Sequence, residues 1–304
     1  MGMRNILETN IAGMELKNPV IAASGTFGRE YAELIDVARL GAVIPKSVTF
    51  GARTGNKPPR VTETTAGMLN SIGLENRGIR YFIDEELPFW RNAGATVIAS
   101  IAGETVDEFT RAAEALASVE DIAGIEINVS CPNVDKGGVQ FGCKPRLAAE
   151  VTAAVKNESR LPVIVKLTPN VTNIVDIAKA VEAAGADCVS LINTLLGMRI
   201  DIEAKRPVLG RGEGGLSGPA IKPVALRMVY RVSENLEIPV IGMGGISTAE
   251  DAIEFMMAGA AAVQVGTASF VDPRAMLNII SGLEEFVTKN SYDSVIELVG
   301  EARA

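Results

Sequence analysis

The stretch Gly124-Ile125-Glu126-Ile127-Asn128-Val129-Ser130-Cys131-Pro132-Asn133 changes character half-way along its length. Gly124–Ile127 reads as a buried strand, and the residues after it are amide, hydroxyl, thiol, proline and amide. Pro132 has no N–H to give to a ladder, so the strand ends there and Cys131 sits at its C-terminal tip. The segment that follows, Val134-Asp135-Lys136-Gly137-Gly138-Val139-Gln140-Phe141-Gly142, is glycine-rich with neither helical nor strand period, which reads as a loop over that tip. A thiol in such a place is a candidate acid, base or nucleophile; the alternative is a small buried hydrophobe, the usual fate of a free cysteine. The chain has no histidine, so proton transfer near neutral pH falls to Cys, Lys, Tyr or a carboxylate.

Outward from this stretch, short β-branched runs recur with helical segments between them, the pattern of βα units around a parallel sheet. Eight are predicted: Pro19–Ala23, Ala42–Ile44, Thr96–Ile101, Gly124–Val129, Pro162–Leu167, Cys188–Ile192, Pro239–Met243 and Ala262–Val265. Several are apolar on both faces, as strands between a barrel interior and its helices should be. Thr105-Val106-Asp107-Glu108 reads as a capping box ahead of a helix over Phe109–Val119. Ser247-Thr248-Ala249-Glu250 reads as another ahead of Ala252–Ala258. Gly185 and Gly259 fall where left-handed helix caps are expected. Eight βα units in about 300 residues predict an α/β TIM (β/α)8 barrel, one domain over residues 1–304. The alternative, an open doubly wound sheet, lacks the Gly-x-Gly-x-x-Gly that should open its first helix.

Three connections are longer than plain crossovers: Phe50–Gly94, Pro132–Lys144 and Thr194–Gly218, after the second, fourth and sixth strands. Long structureless loops are usually functional, and these leave C-terminal strand ends, where barrel active sites form. The strand ends themselves spell a polar ring. Ser24-Gly25, Lys46-Ser47, Ser100, Asn128 with Cys131, Lys166, Asn193-Thr194, Gly244-Gly245 and Gly266-Thr267 follow in order. Two lysines among so many amides and hydroxyls would leave unsatisfied polar groups in a core unless a ligand meets them.

Composition narrows the ligand. A net charge of −8 argues against a nucleic-acid or anionic-membrane surface, while a few pocket lysines can still serve an anionic substrate. No run approaches the roughly 18 apolar residues of a membrane span, and the N-terminus lacks a signal-peptide core, so the expected compartment is the cytoplasm. Cys131, Cys143 and Cys188 are too few and too irregularly spaced for a disulfide framework, a zinc site or an iron–sulfur cluster, and no metal is expected. Gly242-Met243-Gly244-Gly245-Ile246 and Val265-Gly266-Thr267-Ala268 would let backbone N–H groups approach a phosphate, helped by a helix N-terminus; the plainer reading is glycine for tight turns. If the phosphate belongs to flavin mononucleotide (FMN), Lys166 would bring positive charge to N1 and the C2 oxygen of the ring. Asn128, Asn193 and Thr194 would offer donor–acceptor pairs to a planar heterocycle.

Seven segments then come together in order. They are Asn70-Ser71-Ile72-Gly73-Leu74, Asn128-Val129-Ser130-Cys131-Pro132-Asn133, Val165-Lys166-Leu167-Thr168-Pro169-Asn170, Ile192-Asn193-Thr194, Gly215-Leu216-Ser217-Gly218, Gly244-Gly245 and Gly266-Thr267. As a set, spanning nearly the whole chain, they resemble the class 1 dihydroorotate dehydrogenases. Gly138-Val139-Gln140-Phe141-Gly142 and Leu195-Leu196-Gly197-Met198-Arg199 look more like class 1B, the catalytic subunit of the NAD-linked enzyme, than class 1A. The resemblance implies FMN contacts at Ser24, Lys46, Ser47, Asn128, Lys166, Ile192, Gly218, Gly244, Gly245, Gly266 and Thr267. It implies dihydroorotate contacts at Lys46, Asn70, Ser71, Ile72, Gly73, Leu74, Asn128, Asn193 and Thr194, with Cys131 as catalytic base. Ser100 departs from the family's usual FMN-contacting asparagine, and its shorter side chain puts that contact in doubt.

The chain has no dinucleotide fingerprint and no cysteine cluster, so the class 1B resemblance implies a partner subunit with FAD and an iron–sulfur cluster, and NAD as final acceptor. It implies a homodimer within a heterotetramer. A class 1A enzyme would pass its electrons to fumarate instead. Readings from other classes are a phosphosugar isomerase or aldolase barrel, with Lys46 or Lys166 as Schiff-base lysine, and a catalytically silent flavin- or phosphate-binding scaffold.

Overall fold

A computed structural model describes residues 5–130 and 141–303. Its centre is one eight-stranded parallel sheet. The strands, here β1–β8, are Val20–Ala22, Ala42–Val43, Ile98–Ile101, Gly124–Asn128, Val163–Lys166, Cys188–Leu191, Val240–Met243 and Ala262–Val265. Neighbours run β2-β1-β8-β7-β6-β5-β4-β3. Bridges Val43–Val97 and Val48–Ile101 join the two ends of that order, so the sheet curls into a TIM barrel. All eight predicted runs are strands, with ends trimmed by at most two residues.

Alternation along each strand builds two separate cores. Outward residues such as Val20, Val43, Ile125, Val165, Val189 and Val263 pack with the apolar faces of the surrounding helices. The helix Val106–Leu116 buries Phe109, Ala112, Ala113 and Leu116, one i, i+3, i+4, i+7 face. Inward residues at the N-terminal end of the barrel, among them Ile21, Ile98, Ile164, Cys188 and Ile241, meet Ile11, Met14 and Leu16. Those three come from a hairpin, Thr9–Ile11 with Met14–Leu16, that plugs the bottom of the barrel. Its turn places Ala12 and Gly13 at positive φ, the geometry that matches strand twist.

Several expectations need correction. The connections after β2 and β6 are not structureless. Val61–Thr64 and Gly67–Asn70 form a hairpin, and Gly67–Asn70 pairs with Glu213–Ser217, which pairs with Leu195–Met198. These four strands are a second, antiparallel sheet, and residues 78–92 are helical with one π turn at Phe82–Glu86. The loop predicted over 132–144 falls outside the described residues up to 140, and Phe141–Cys143 forms a 3₁₀ turn.

The two caps are also displaced. Thr105 does cap its helix, but the helix starts at Val106, and Glu108 accepts from the Glu104 N–H, one residue before the cap. At the other site the cap is Thr248 with Asp251, not Ser247 with Glu250, and the helix is Ala249–Met257. Asp251 wins because it can accept from the Ser247 and Thr248 N–H groups and also meet Lys222 Nζ at 2.5 Å. Gly185 and Gly259 do take left-handed conformations at helix ends.

Candidate active site

A cavity of about 240 Å³ opens at the C-terminal ends of the strands. Ser24, Lys46, Ser47, Asn128, Lys166, Ile192, Asn193, Thr194, Gly218, Gly244, Gly245, Gly266 and Thr267 all line it. Alternation explains why: Asn128, Lys166 and Ile192 stand at inward positions of their strands or at the first turn beyond them. The antiparallel sheet forms the facing wall, contributing Asn70, Gly215 and Ser217, with Ile72, Gly73 and Leu74 in the turn after Asn70. That turn is made by successive left-handed residues, Gly73 (φ +76) and Leu74 (φ +55).

Hydrogen bonds fix the polar groups. Asn193 Nδ2 donates to Asn128 Oδ1 at 3.3 Å, and the Thr194 N–H donates to Asn193 Oδ1 at 2.8 Å. The Ser130 N–H also donates to Asn128 Oδ1 (3.1 Å), and Ser130 Oγ donates to the Lys166 carbonyl (2.9 Å). The chain just before Cys131 is therefore tied to two strands, while Cys131 itself lies outside the described residues. Lys166 Nζ donates to Ser24 Oγ (3.2 Å) and lies 3.6 Å from Glu126 Oε1. Thr267 Oγ1 donates to Ser217 Oγ (2.8 Å), which ties the end of β8 to the covering sheet.

Two sequence candidates do not face the cavity. Ser71 is buried with Oγ accepting from Asn56 Nδ2 at 3.0 Å. Ser100 stops one residue short of the wall: its hydroxyl meets Ser47 Oγ at 2.8 Å, and Ser47 is the lining residue. The helix N-terminus expected to help bind a phosphate is not available after β7, because Asp251 occupies it; after β8 the helix is the single turn Ala268–Val271. Gly244 and Gly245 are required by the protein itself. A Cβ on Gly244 would sit 2.7 Å from Ala225 Cβ, and one on Gly245 2.8 Å from Lys222 Cβ. Gly266 differs: a Cβ there would make only ordinary contacts with Thr26 and Ala23, so glycine at this position keeps space open in the cavity.

The structure adds groups the sequence reading passed over. Gln264 lines the cavity from β8, and its Oε1 is buried with no partner. Glu126 lies in the barrel interior with zero exposure. Its position was legible in principle, since it stands two residues before Asn128 and so on the same strand face.

The dihydroorotate dehydrogenase family model matches residues 6–287. The chain belongs to the dihydroorotate dehydrogenase family. It is 53% identical over 300 residues to a protein of Alkaliphilus oremlandii, covering 98% of this chain and 99% of the relative. A Geotalea uraniireducens protein is 51% identical over 296 residues (97% of each chain), and one from Desulforamulus reducens 52% over 302 (99% of each). All three are named the catalytic subunit of dihydroorotate dehydrogenase B (NAD(+)), so the class 1B resemblance holds and the name implies a further subunit in those enzymes. Membership implies a flavin cofactor, and the residues fit one: two lysines, three amides, an orphaned Gln264 acceptor and the space above Gly266 converge on one cavity. Among the described residues no helix is long and apolar enough to cross a membrane, and no cluster of His, Cys, Asp or Glu could hold a metal ion.

Proposed function

We propose that this chain oxidises dihydroorotate to orotate on bound FMN, in pyrimidine biosynthesis, as the catalytic subunit of an NAD-linked enzyme. The observation that carries the reading is the convergence of Lys46, Asn70, Asn128, Asn193, Thr194 and Lys166 on one cavity. FMN held by Ser24, Ser47, Lys166 and the Gly244-Gly245 and Gly266-Thr267 turns would supply the acceptor for the hydride of substrate C6. The chain's own residues do the rest. Lys46 holds the substrate carboxylate, placing a cation in the cavity of a chain whose net charge is −8. Asn70, Asn128, Asn193 and Thr194 supply paired donors and acceptors for the ring amides; mutual hydrogen bonds hold the last three in register, and Asn70 donates to the Gly215 carbonyl. Cys131 removes the proton from C5. Its ordinary pKa of about 8.5 leaves a minority of thiolate at neutral pH, so catalysis by this base strengthens as pH rises.

Electrons leave through a partner subunit with FAD and an iron–sulfur cluster to NAD, in a cytoplasmic heterotetramer built on a homodimer of this one-domain chain. Exposed apolar side chains beside the cavity, Leu196 and Met198 on the covering sheet with Ile200 and Ile202 after it, support a partner surface. An anaerobic absorption spectrum during addition of dihydroorotate tests the function. A flavin band that bleaches, and returns only with the partner subunit and NAD, is expected. Return with fumarate alone would favour class 1A, and a colourless protein that takes up no FMN would leave the phosphosugar barrel. Cys131→Ala should stay yellow and stop turning over, and Cys131→Ser should move activity to higher pH. Normal turnover in the alanine variant would remove Cys131 from the mechanism.

A further inference from the structure

Below the cavity floor, the barrel interior has a polar layer where bulky aliphatic side chains are usual. At its centre is Glu126, fully buried. Its Oε2 accepts from Ser190 Oγ at 3.0 Å and Gln264 Nε2 at 2.7 Å. Its Oε1 accepts from Ser100 Oγ at 3.4 Å and lies 3.6 Å from the Lys166 ammonium. Lys166 and Gln264 line the cavity; Glu126, Ser100 and Ser190 do not. The carboxylate therefore touches the cavity only through other side chains.

Stability does not explain this pair. Well-packed apolar residues usually do as well or better than a buried ion pair, whereas removing one partner leaves a costly charge. What the pair does change is the field in the cavity. Lys166 alone would present a full, poorly screened positive charge to whatever lies above it. Glu126 offsets that charge from below, and its hydrogen bonds hold both groups in place. We propose that Glu126 is a positioning residue that sets the reduction potential of the bound flavin through Lys166. The inference rests on the flavin reading of the cavity, and it deepens that reading. A bare ammonium favours the electron-rich, reduced ring and so makes the flavin a stronger oxidant. An enzyme whose electrons end on nicotinamide, a weak oxidant, needs a reduced flavin that gives them up.

The test uses the FMN-loaded protein and two readouts other than turnover. One is the affinity for sulfite, which adds to the oxidised ring more tightly as nearby positive charge increases. The other is the two-electron midpoint potential. Glu126→Gln keeps shape and removes charge, and the unpartnered Gln264 Oε1 can turn to accept from the new amide. It should bind sulfite about tenfold more tightly and raise the potential by about 30 mV, the equivalent of tenfold for two electrons. Glu126→Asp, which keeps the charge, should lie nearer the parent than Glu126→Gln does. Unchanged sulfite affinity and potential in Glu126→Gln would overturn the proposal. Should that variant not fold, Glu126→Asp carries the test, because its shorter side chain draws the carboxylate away from Lys166. Sulfite binding tighter and a potential higher than the parent's, by less than about tenfold and about 30 mV, support the proposal, and parental values overturn it. A parent protein that takes up no FMN would defeat the flavin reading before any variant is made.

Discussion

Gly215→Ala tests whether the covering sheet places the substrate. Gly215 pairs with Leu196 on one side and Asn70 on the other, and Asn70 Nδ2 donates to its carbonyl at 3.5 Å. Its φ is not in the left-handed region, so alanine brings no backbone strain. The effect is purely steric. A Cβ at 215 would lie 2.6 Å from Thr194 Cβ and nearer still to its hydroxyl. Carbon pairs prefer about 3.5–4.0 Å, so about 1 Å of relief is needed.

Thr194 cannot easily supply it. Its carbonyl accepts from Asn170 Nδ2 (3.0 Å) and its N–H donates to Asn193 (2.8 Å). The strand Glu213–Ser217 must move instead and carry Asn70 with it. Overpacking of this kind costs about 1–3 kcal/mol, and a misplacement of about 1 Å at a reacting ligand costs on the order of 100-fold. Anaerobic stopped-flow bleaching by dihydroorotate should therefore show kcat/KM down about 10- to 100-fold. Flavin content should fall less than kcat/KM, because Gly218 is the one expected flavin residue next to this strand, whereas Ser24, Lys166 and Gly266 stand in or just after barrel strands. Gly197→Ala is the control. Its Cβ would be tight only against the tip of Leu69 at 3.1 Å, with Leu216 Cβ at an ordinary 3.6 Å. A kcat/KM for Gly215→Ala within threefold of the parent would refute the role given to this sheet.

Three further outcomes follow from the same structure. Gly244→Ala combines φ +124 with a 2.7 Å approach to Ala225, so it should lower stability by about 1–3 kcal/mol and the flavin-to-protein absorbance ratio with it; full flavin retention would count against a cofactor role for this turn. Asp251 is pushed up by burial, but Lys222 and the Ser247 and Thr248 N–H groups outweigh this and hold its pKa below the usual value. Its stabilisation is then present above the ordinary carboxylate range and lost as pH falls through the lowered folded value. Asp251→Asn should cost about 1 kcal/mol near neutrality and flatten the acid limb in urea unfolding, whereas a pH dependence like the parent's would show the capping carboxylate is inert. Burial, then Glu126 and Asp187, push the Cys188 thiol far up, so it should resist an aromatic disulfide reagent at pH 8 until the protein unfolds; rapid labelling in the native state, read by peptide mass, would contradict its place in the plugged barrel.

How far the sequence could be read depended on how each element declares itself. The barrel strands were legible because each is a short β-branched run buried on both faces, closed off by glycine, proline or a cap. The covering sheet was not. Its strands, Val61–Thr64, Gly67–Asn70, Leu195–Met198 and Glu213–Ser217, are mostly half-exposed, and the last three contain glycine, so no apolar run betrays them. The shifted cap at Thr248 shows a second limit. Ser247 with Glu250 and Thr248 with Asp251 both satisfy the spacing, and Lys222, from a different helix, adds a partner that the sequence spacing does not show.

The polar layer shows a third limit, and the most instructive one. Every member has the strand parity that points it inward: Ser100 two after Ile98, Glu126 two before Asn128, Lys166 two after Ile164, Ser190 two after Cys188, and Gln264 two before Gly266. One such residue in a strand reads as an accident, and the sequence does not show that five strands bring theirs to one height. Hydrogen bonds settle that point, since Glu126 on β4 receives donors from β3, β6 and β8 and faces Lys166 on β5. The same closure explains Ser100. A longer amide there could reach the cavity, but the serine hydroxyl spends its contacts on Ser47 and Glu126 and so joins the floor instead of the wall. The departure from the family's asparagine thus gives Glu126 a further, weak donor. If Glu126 sets the flavin potential, Ser100→Asn is a change the protein can register in its redox behaviour as well as in its flavin affinity.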